Sequence, residues 1–131
     1  MKKLLYLLLA ITFIGCSSDN NSSSNSSNSS NNSVYTVKYQ VTTDAPTEGF
    51  SQFIRYTNST GNDNVFETNE LFWEQEIQID SEDGSYVLLD ADANTNECLI
   101  NAKIYVNGEL KGESTVVDSN AYVIYYFPFQ P

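Results

Sequence analysis

Ile100-Asn101-Ala102-Lys103-Ile104-Tyr105-Val106-Asn107-Gly108-Glu109-Leu110-Lys111 is the stretch whose reading decides the fold. Ile100, Ala102, Ile104 and Val106 alternate with Asn101, Lys103 and Tyr105. A two-residue apolar period puts one face of a strand in a core and the other in water. Asn107-Gly108 then interrupts the run. Both central residues of a type I′ turn need positive φ, which Asn and Gly adopt at least cost, so this dipeptide between two extended runs predicts a β-hairpin.

The same period recurs outward from the hairpin. Tyr35, Val37, Tyr39 and Val41 alternate with Thr36, Lys38 and Gln40. After the turn cluster Asp44–Gly49, a short strand over Phe53–Thr57 sets Ile54 and Tyr56 on one face. Asn58–Asn64 reads as a hairpin tip and Val65–Thr68 as its return strand. From Phe72 to Ile79, Trp73, Ile77 and Ile79 share a face while Glu74, Glu76 and Gln78 point to solvent. Asp80–Gly84 is a turn, and Tyr86-Val87-Leu88-Leu89 is apolar enough for a central strand. A loop is expected over Asp92–Glu97, and a last strand over Ala121–Phe127 is stopped by Pro128 and Pro131. No window keeps a 3.6-residue apolar period for three turns. The expectation is an all-β domain over 34–131, a small antiparallel sandwich of immunoglobulin-like form with seven or eight strands, and with Trp73 as its central core residue.

The residues before 34 have a different character. Met1-Lys2-Lys3 is a basic n-region and Leu4–Ile14 an apolar stretch of eleven residues, shorter than the roughly 20 needed to span a bilayer. It ends in Phe13-Ile14-Gly15-Cys16, which resembles a bacterial lipobox, where a small residue precedes the cysteine that receives a diacylglycerol. Residues 1–15 are therefore expected to be a cleaved signal peptide and Cys16 to carry acyl chains. Ser17–Ser33 contains only Ser, Asn and one Asp. Such a segment offers no apolar surface to offset ordering entropy, so 16–33 is expected to act as a flexible tether of roughly 20–25 Å reach.

Charge narrows the functional classes. The chain carries a net charge of −11, and loss of Lys2 and Lys3 with the leader takes it to −13. Lys38, Arg55, Lys103 and Lys111 then remain as its cations. No basic patch is available to displace counterions from a phosphate backbone, so nucleic acid is not an expected partner. Histidine is absent, which removes the commonest general base, the usual zinc ligand and any Ser-His or Cys-His pair. With Cys16 acylated, Cys98 has no disulfide partner and is expected to be a buried thiol.

Ile104–Lys111, followed by Asn120-Ala121-Tyr122, together with Tyr56-Thr57-Asn58, Gly61 and Leu71-Phe72-Trp73, resembles the mycobacterial MmpS membrane proteins over most of residues 36–127. Phe72 stands where that family has proline. The resemblance implies a β-sandwich domain that serves as accessory partner of a lipid-exporting transporter, here held by a lipid rather than a helix.

Two groups of residues suggest chemistry. Asp90-Ala91-Asp92-Ala93-Asn94-Thr95-Asn96-Glu97 spaces oxygens like the start of an EF-hand loop, but Thr95 and Asn101 occupy the positions that need Gly and a bidentate Glu. A looser calcium site of Asp90, Asp92 and Glu97, with Asp80 or Asp83, competes with a solvated acidic loop. Tyr122, Tyr125, Tyr126, Phe127 and Phe129 read either as a strand whose tyrosines straddle the surface or as an exposed strip that stacks on sugars or docks a partner. The expected function is a non-catalytic, cofactor-free accessory or binding lipoprotein of the envelope. It would be anchored at the outer membrane of a Gram-negative bacterium and meet an envelope protein or transporter. The alternative is a surface module that binds calcium or glycans in the manner of an adhesin.

Overall fold

The computed structural model describes residues 33–45, 48–95, 98–118 and 120–128. Residues 1–32, on which the expected signal peptide, the lipidated Cys16 and most of the expected tether fall, lie outside the described residues, as do Glu97, Phe129 and Pro131. Eight strands follow in chain order: β1 (Val34–Asp44), β2 (Gln52–Thr57), β3 (Asp63–Thr68), β4 (Phe72–Asp80), β5 (Tyr86–Ala93), β6 (Leu99–Val106), β7 (Glu109–Val117) and β8 (Ala121–Tyr126). They form two four-stranded antiparallel sheets packed as a sandwich, in the orders β4-β1-β6-β7 and β3-β2-β5-β8. The described residues contain no helix.

The Asn107-Gly108 hairpin is present. Asn107 has φ 52° and Gly108 φ 81°, and Val106 pairs with Glu109 across the turn. Asn107 also ties the turn to β1, since its amide donates to the Thr36 carbonyl at 2.8 Å and its Oδ1 accepts from the Thr36 amide at 3.0 Å. Beyond the turn Tyr105 pairs with Leu110 but Ile104 with Gly112, so Lys111 is the extra residue of a bulge.

The architecture is an eight-stranded antiparallel sandwich whose strand order, with β1 and β2 in different sheets, is not the immunoglobulin order. β1–β4 and β5–β8 are two copies of one pattern. In each, the first strand leads to a hairpin in the opposite sheet, and the fourth strand returns to pair with the first. The halves are joined by β1 against β6 in one sheet and β2 against β5 in the other.

The inward residues of both sheets make one core: Val37, Tyr39, Val41, Ile54, Ile79, Val87, Leu89, Ile100 and Ile104 are at most 1% exposed. Burying each Val, Leu or Ile side chain contributes about 1.5–3 kcal/mol. Buried polar groups are paired across the sheets. Tyr39 Oη donates to the Thr57 carbonyl at 2.7 Å, Thr43 Oγ1 bonds Gln52 Oε1 at 2.8 Å, and Gln52 Nε2 donates to the Glu70 carbonyl at 2.6 Å.

Two expectations are corrected. β5 does not give way to a loop at Asp92 but continues through Ala93, because Ala91 and Ala93 keep facing inward while Asp90 and Asp92 face out. Trp73 does not occupy the centre. It sits half-buried on the edge strand β4, its ring 5.3 Å from Tyr56 and 5.4 Å from Phe66. Fully buried Tyr39, on the inner strand β1, takes the middle instead.

Candidate partner-binding face

Register fixes what stands beside what on the outer face of the β3-β2-β5-β8 sheet. One row across the four strands reads Val65, Arg55, Asp90, Tyr122. The adjacent row reads Glu67, Phe53, Asp92. Further along, Leu88 faces Ile124, and Tyr86 faces Tyr126 with ring centroids 5.9 Å apart. Phe53 (50%), Val65 (62%), Tyr122 (45%) and Tyr126 (65%) are exposed. Large side chains are thus held open to solvent on a flat, paired β surface.

The polar groups of this face centre on Arg55. Its Nη2 donates to Asp90 Oδ2 at 3.0 Å, and Asn120 Nδ2 donates to Asp90 Oδ1 at 3.1 Å. Arg55 Nε is buried against the sheet and has no hydrogen-bond partner among the described residues. The pair is partly exposed, so it contributes little to stability. Phe53, Arg55, Val65, Asp90 and Asp92 line a shallow depression of about 290 Å³.

The outer face of the other sheet differs. Lys38 pairs with Glu74 and Lys103 with Glu113, both at 3.5 Å, and Lys38 lies 4.9 Å over the Tyr105 ring. The hydrogen bond from Asn101, aided by Lys103, holds the Glu113 carboxyl below the usual range. At the bulge, Lys111 sits 2.6 Å from Glu109; their hydrogen bond lowers the carboxyl and raises the ammonium. Glu74 and Glu113 are thus paired on that face, while Glu76 and the apolar Phe72, Leu99, Leu110 and Val117 are exposed there.

Strand parity sorts the aromatic C-terminal segment. Tyr122 and Tyr126 point outward, whereas Tyr125 and Phe127 join the core, Phe127 stacked on Tyr35 at 4.4 Å. The segment is therefore a strand whose aromatic residues straddle the surface. Asp90 and Asp92 stand two apart on the outer face of β5, and Asp90 is already engaged by Arg55. Asp80 caps the turn after β4, accepting from the Glu82 amide, and Asp83 lies in that turn. The turn leads into the opposite end of β5, so neither residue meets Asp90 or Asp92. Glu97 lies outside the described residues. Among those described, no three carboxylate, cysteine or histidine side chains converge to hold a metal ion.

Phe53, Val65 and Glu67 were not singled out from sequence. Phe53 had a readable signal, because alternation within Phe53-Ile54-Arg55-Tyr56 sends it to the face opposite Ile54. No protein-family model and no curated protein matches this sequence.

Proposed function

We propose that this chain is a non-catalytic, lipid-anchored binding module of the bacterial envelope, tethered through Cys16 and presenting the outer face of the β3-β2-β5-β8 sheet to an envelope partner. The observation that carries the reading is the distribution of exposed aromatic rings: Phe53, Tyr86, Tyr122 and Tyr126 lie open around the Arg55–Asp90 pair on this face, against Phe72 among the exposed large side chains of the other sheet. Exposed apolar groups gathered on one face mark interaction surfaces in monomeric domains. The lipobox-like Phe13-Ile14-Gly15-Cys16 and the Ser/Asn stretch after it support the anchor. The lack of histidine supports a binding rather than a catalytic role. The resemblance to MmpS proteins favours a transporter or other envelope protein as partner, at the outer membrane of a Gram-negative cell.

Fractionation of cells expressing the full chain and its Cys16→Ala variant tests the anchor. The wild type is expected in the membrane fraction with a diacylglyceryl-modified cysteine by mass spectrometry, and the variant in the soluble fraction. A variant that stays with the membrane, or an unacylated wild type, overturns the reading.

A further inference from the structure

We propose that Asn107 is a latent deamidation site, held shut in the folded chain by its two hydrogen bonds to Thr36 and exposed to reaction only when the β6-β7 hairpin lets go of β1. The site depends on the hairpin alone and stands or falls apart from the anchor.

The sequence contains one Asn-Gly dipeptide, at 107–108. Asparagine before glycine is prone to close a five-membered imide, because glycine puts no side chain beside the attacking nitrogen. The Gly108 nitrogen bonds to Cγ of Asn107 and gives up its proton. The bond from Cγ to the side-chain nitrogen breaks, and that nitrogen leaves as ammonia. Water then opens the ring. Addition at the side-chain carbonyl gives aspartate, and addition at the main-chain carbonyl gives isoaspartate, whose chain is one methylene longer. Water is the only co-reactant, and nothing is oxidised or reduced.

Backbone geometry opposes the first step. The ring brings the Gly108 nitrogen level with Cβ of Asn107, at ψ about −120°, whereas the first central residue of a type I′ turn holds ψ about +30°. Asn107 at φ 52° and Gly108 at φ 81° belong to that turn. The nitrogen therefore stands nearly opposite the carbon it must reach.

Thr36 fixes this arrangement from β1. The β1–β6 ladder runs to Val37–Val106, and Asn107 is the next residue along. Its amide donates to the Thr36 carbonyl at 2.8 Å, as a further ladder residue would. The turn has carried its own carbonyl away, so Oδ1 takes that place and accepts from the Thr36 amide at 3.0 Å. Main chain and side chain of Asn107 are thus both clamped. The bond to Oδ1 also draws electron density from Cγ, which favours attack, but a carbon out of reach is not attacked. Asn107 and Gly108 are exposed, so water and base have access and the protection is conformational.

The two products differ in what they restore. Aspartate tolerates positive φ, and its carboxylate can accept from the Thr36 amide as Oδ1 does now. Isoaspartate displaces Gly108 by the extra methylene, so the turn and both bonds to Thr36 cannot re-form together. A chain that stays open long enough to react is marked for good.

The test follows conversion at residue 107 by peptide mass spectrometry in mildly alkaline buffer. It compares the folded full chain in non-ionic detergent, the same chain in urea, and the free hexapeptide of residues 105–110. The unfolded chain and the hexapeptide should react at similar rates, and the folded chain tenfold or more slowly, because it waits on local opening. Thr36→Pro removes the N–H donor to Oδ1 and should raise the folded rate several-fold; should it fail to fold, the wild-type arms decide alone. By hydrogen exchange, the Thr36 amide should stay protected in Asn107→Asp and lose protection in the isoaspartate product. A folded chain that reacts as fast as the hexapeptide would overturn the proposal. So would a folded Thr36→Pro chain with an unchanged rate, no conversion in urea, or an isoaspartate product that regains full protection at Thr36.

Discussion

The hydroxyl of Tyr39 on β1 donates a 2.7 Å hydrogen bond to the carbonyl of Thr57 on β2, joining the two sheets through the middle of the core. Thr57 extends the link, because its Oγ1 accepts from the Leu88 amide on β5 at 3.0 Å. One buried phenol and one buried threonine therefore hold three strands in register. Tyr39→Phe keeps the ring and leaves the Thr57 carbonyl without this donor in a dry site. A loss of about 1–3 kcal/mol in urea-unfolding free energy is expected. A variant as stable as the wild type would mean that the bond contributes nothing net.

The same phenol gives the domain an alkaline limit. Burial, followed by the nearby Tyr56 and Asp63, pushes the Tyr39 hydroxyl well above the ordinary tyrosine range. In the unfolded chain it ionises near pH 10. Below that pH both states keep the proton and this contribution to stability is complete. Above it the unfolded state loses the proton first, so stability falls as pH rises, by at most about 1.4 kcal/mol per pH unit from this group. Urea unfolding between about pH 8 and 11 should show a steeper decline for the wild type than for Tyr39→Phe. Parallel curves would remove Tyr39 as the cause.

Cys98 is fully buried and its thiol lies 3.4 Å from the Thr95 carbonyl. Burial, with the Asp118 charge adding to it, raises the thiol above its usual range, and the thiol rather than the thiolate is a poor nucleophile. Reaction with a small disulfide reagent at neutral pH should be roughly a hundredfold slower in the native protein than in urea, because it waits on local opening. Comparable rates would show that the loop before β6 opens freely.

How much of this was legible in the sequence depends on whether the signal was local. Alternation identified the faces of β1, β4 and β6, and Asn107-Gly108 identified a hairpin, because both signals span a few residues. Past Asp90 the strand β5 is hard to read, because two aspartates resemble a loop when the inward Ala91 and Ala93 are too small to signal a core. The size of Trp73 suggests the centre, but the rank of β4 within its sheet depends on β1 pairing with it across a distance of some thirty residues. The outer face of the β3-β2-β5-β8 sheet is the least legible part. Glu67, Phe53 and Asp92 come from three strands, and only the register of β2 against both β3 and β5 brings them into one row.

Gly108 and Gly112 flank the bulge but are required for opposite reasons. Gly108 has φ +81° and nothing within 4 Å of where a Cβ would stand. Its requirement is conformational, and Gly108→Ala should cost about 1–2 kcal/mol whatever surrounds it.

At Gly112 φ is not positive, and a Cβ would run into the side chain of Val123 on β8. Gly112 faces inward opposite Ile104, and its bareness lets β7 approach β8 across the edge of the sandwich. Gly112→Ala should therefore destabilise by overpacking, about 1–3 kcal/mol. Val123→Ala alone removes two buried methyl groups and should also destabilise, since Val123 is 6% exposed. Together the substitutions replace a Gly–Val contact by an Ala–Ala contact, in which the γ-methyl that the new Cβ would strike is gone, so the double variant should lose clearly less than the sum of the single losses. Val123→Ala should leave the cost of Gly108→Ala unchanged, because no steric contact is relieved there. Unfolding free energies for the two double-mutant cycles separate the cases. Additivity in the Gly112–Val123 cycle would show that β7 and β8 do not meet at this point.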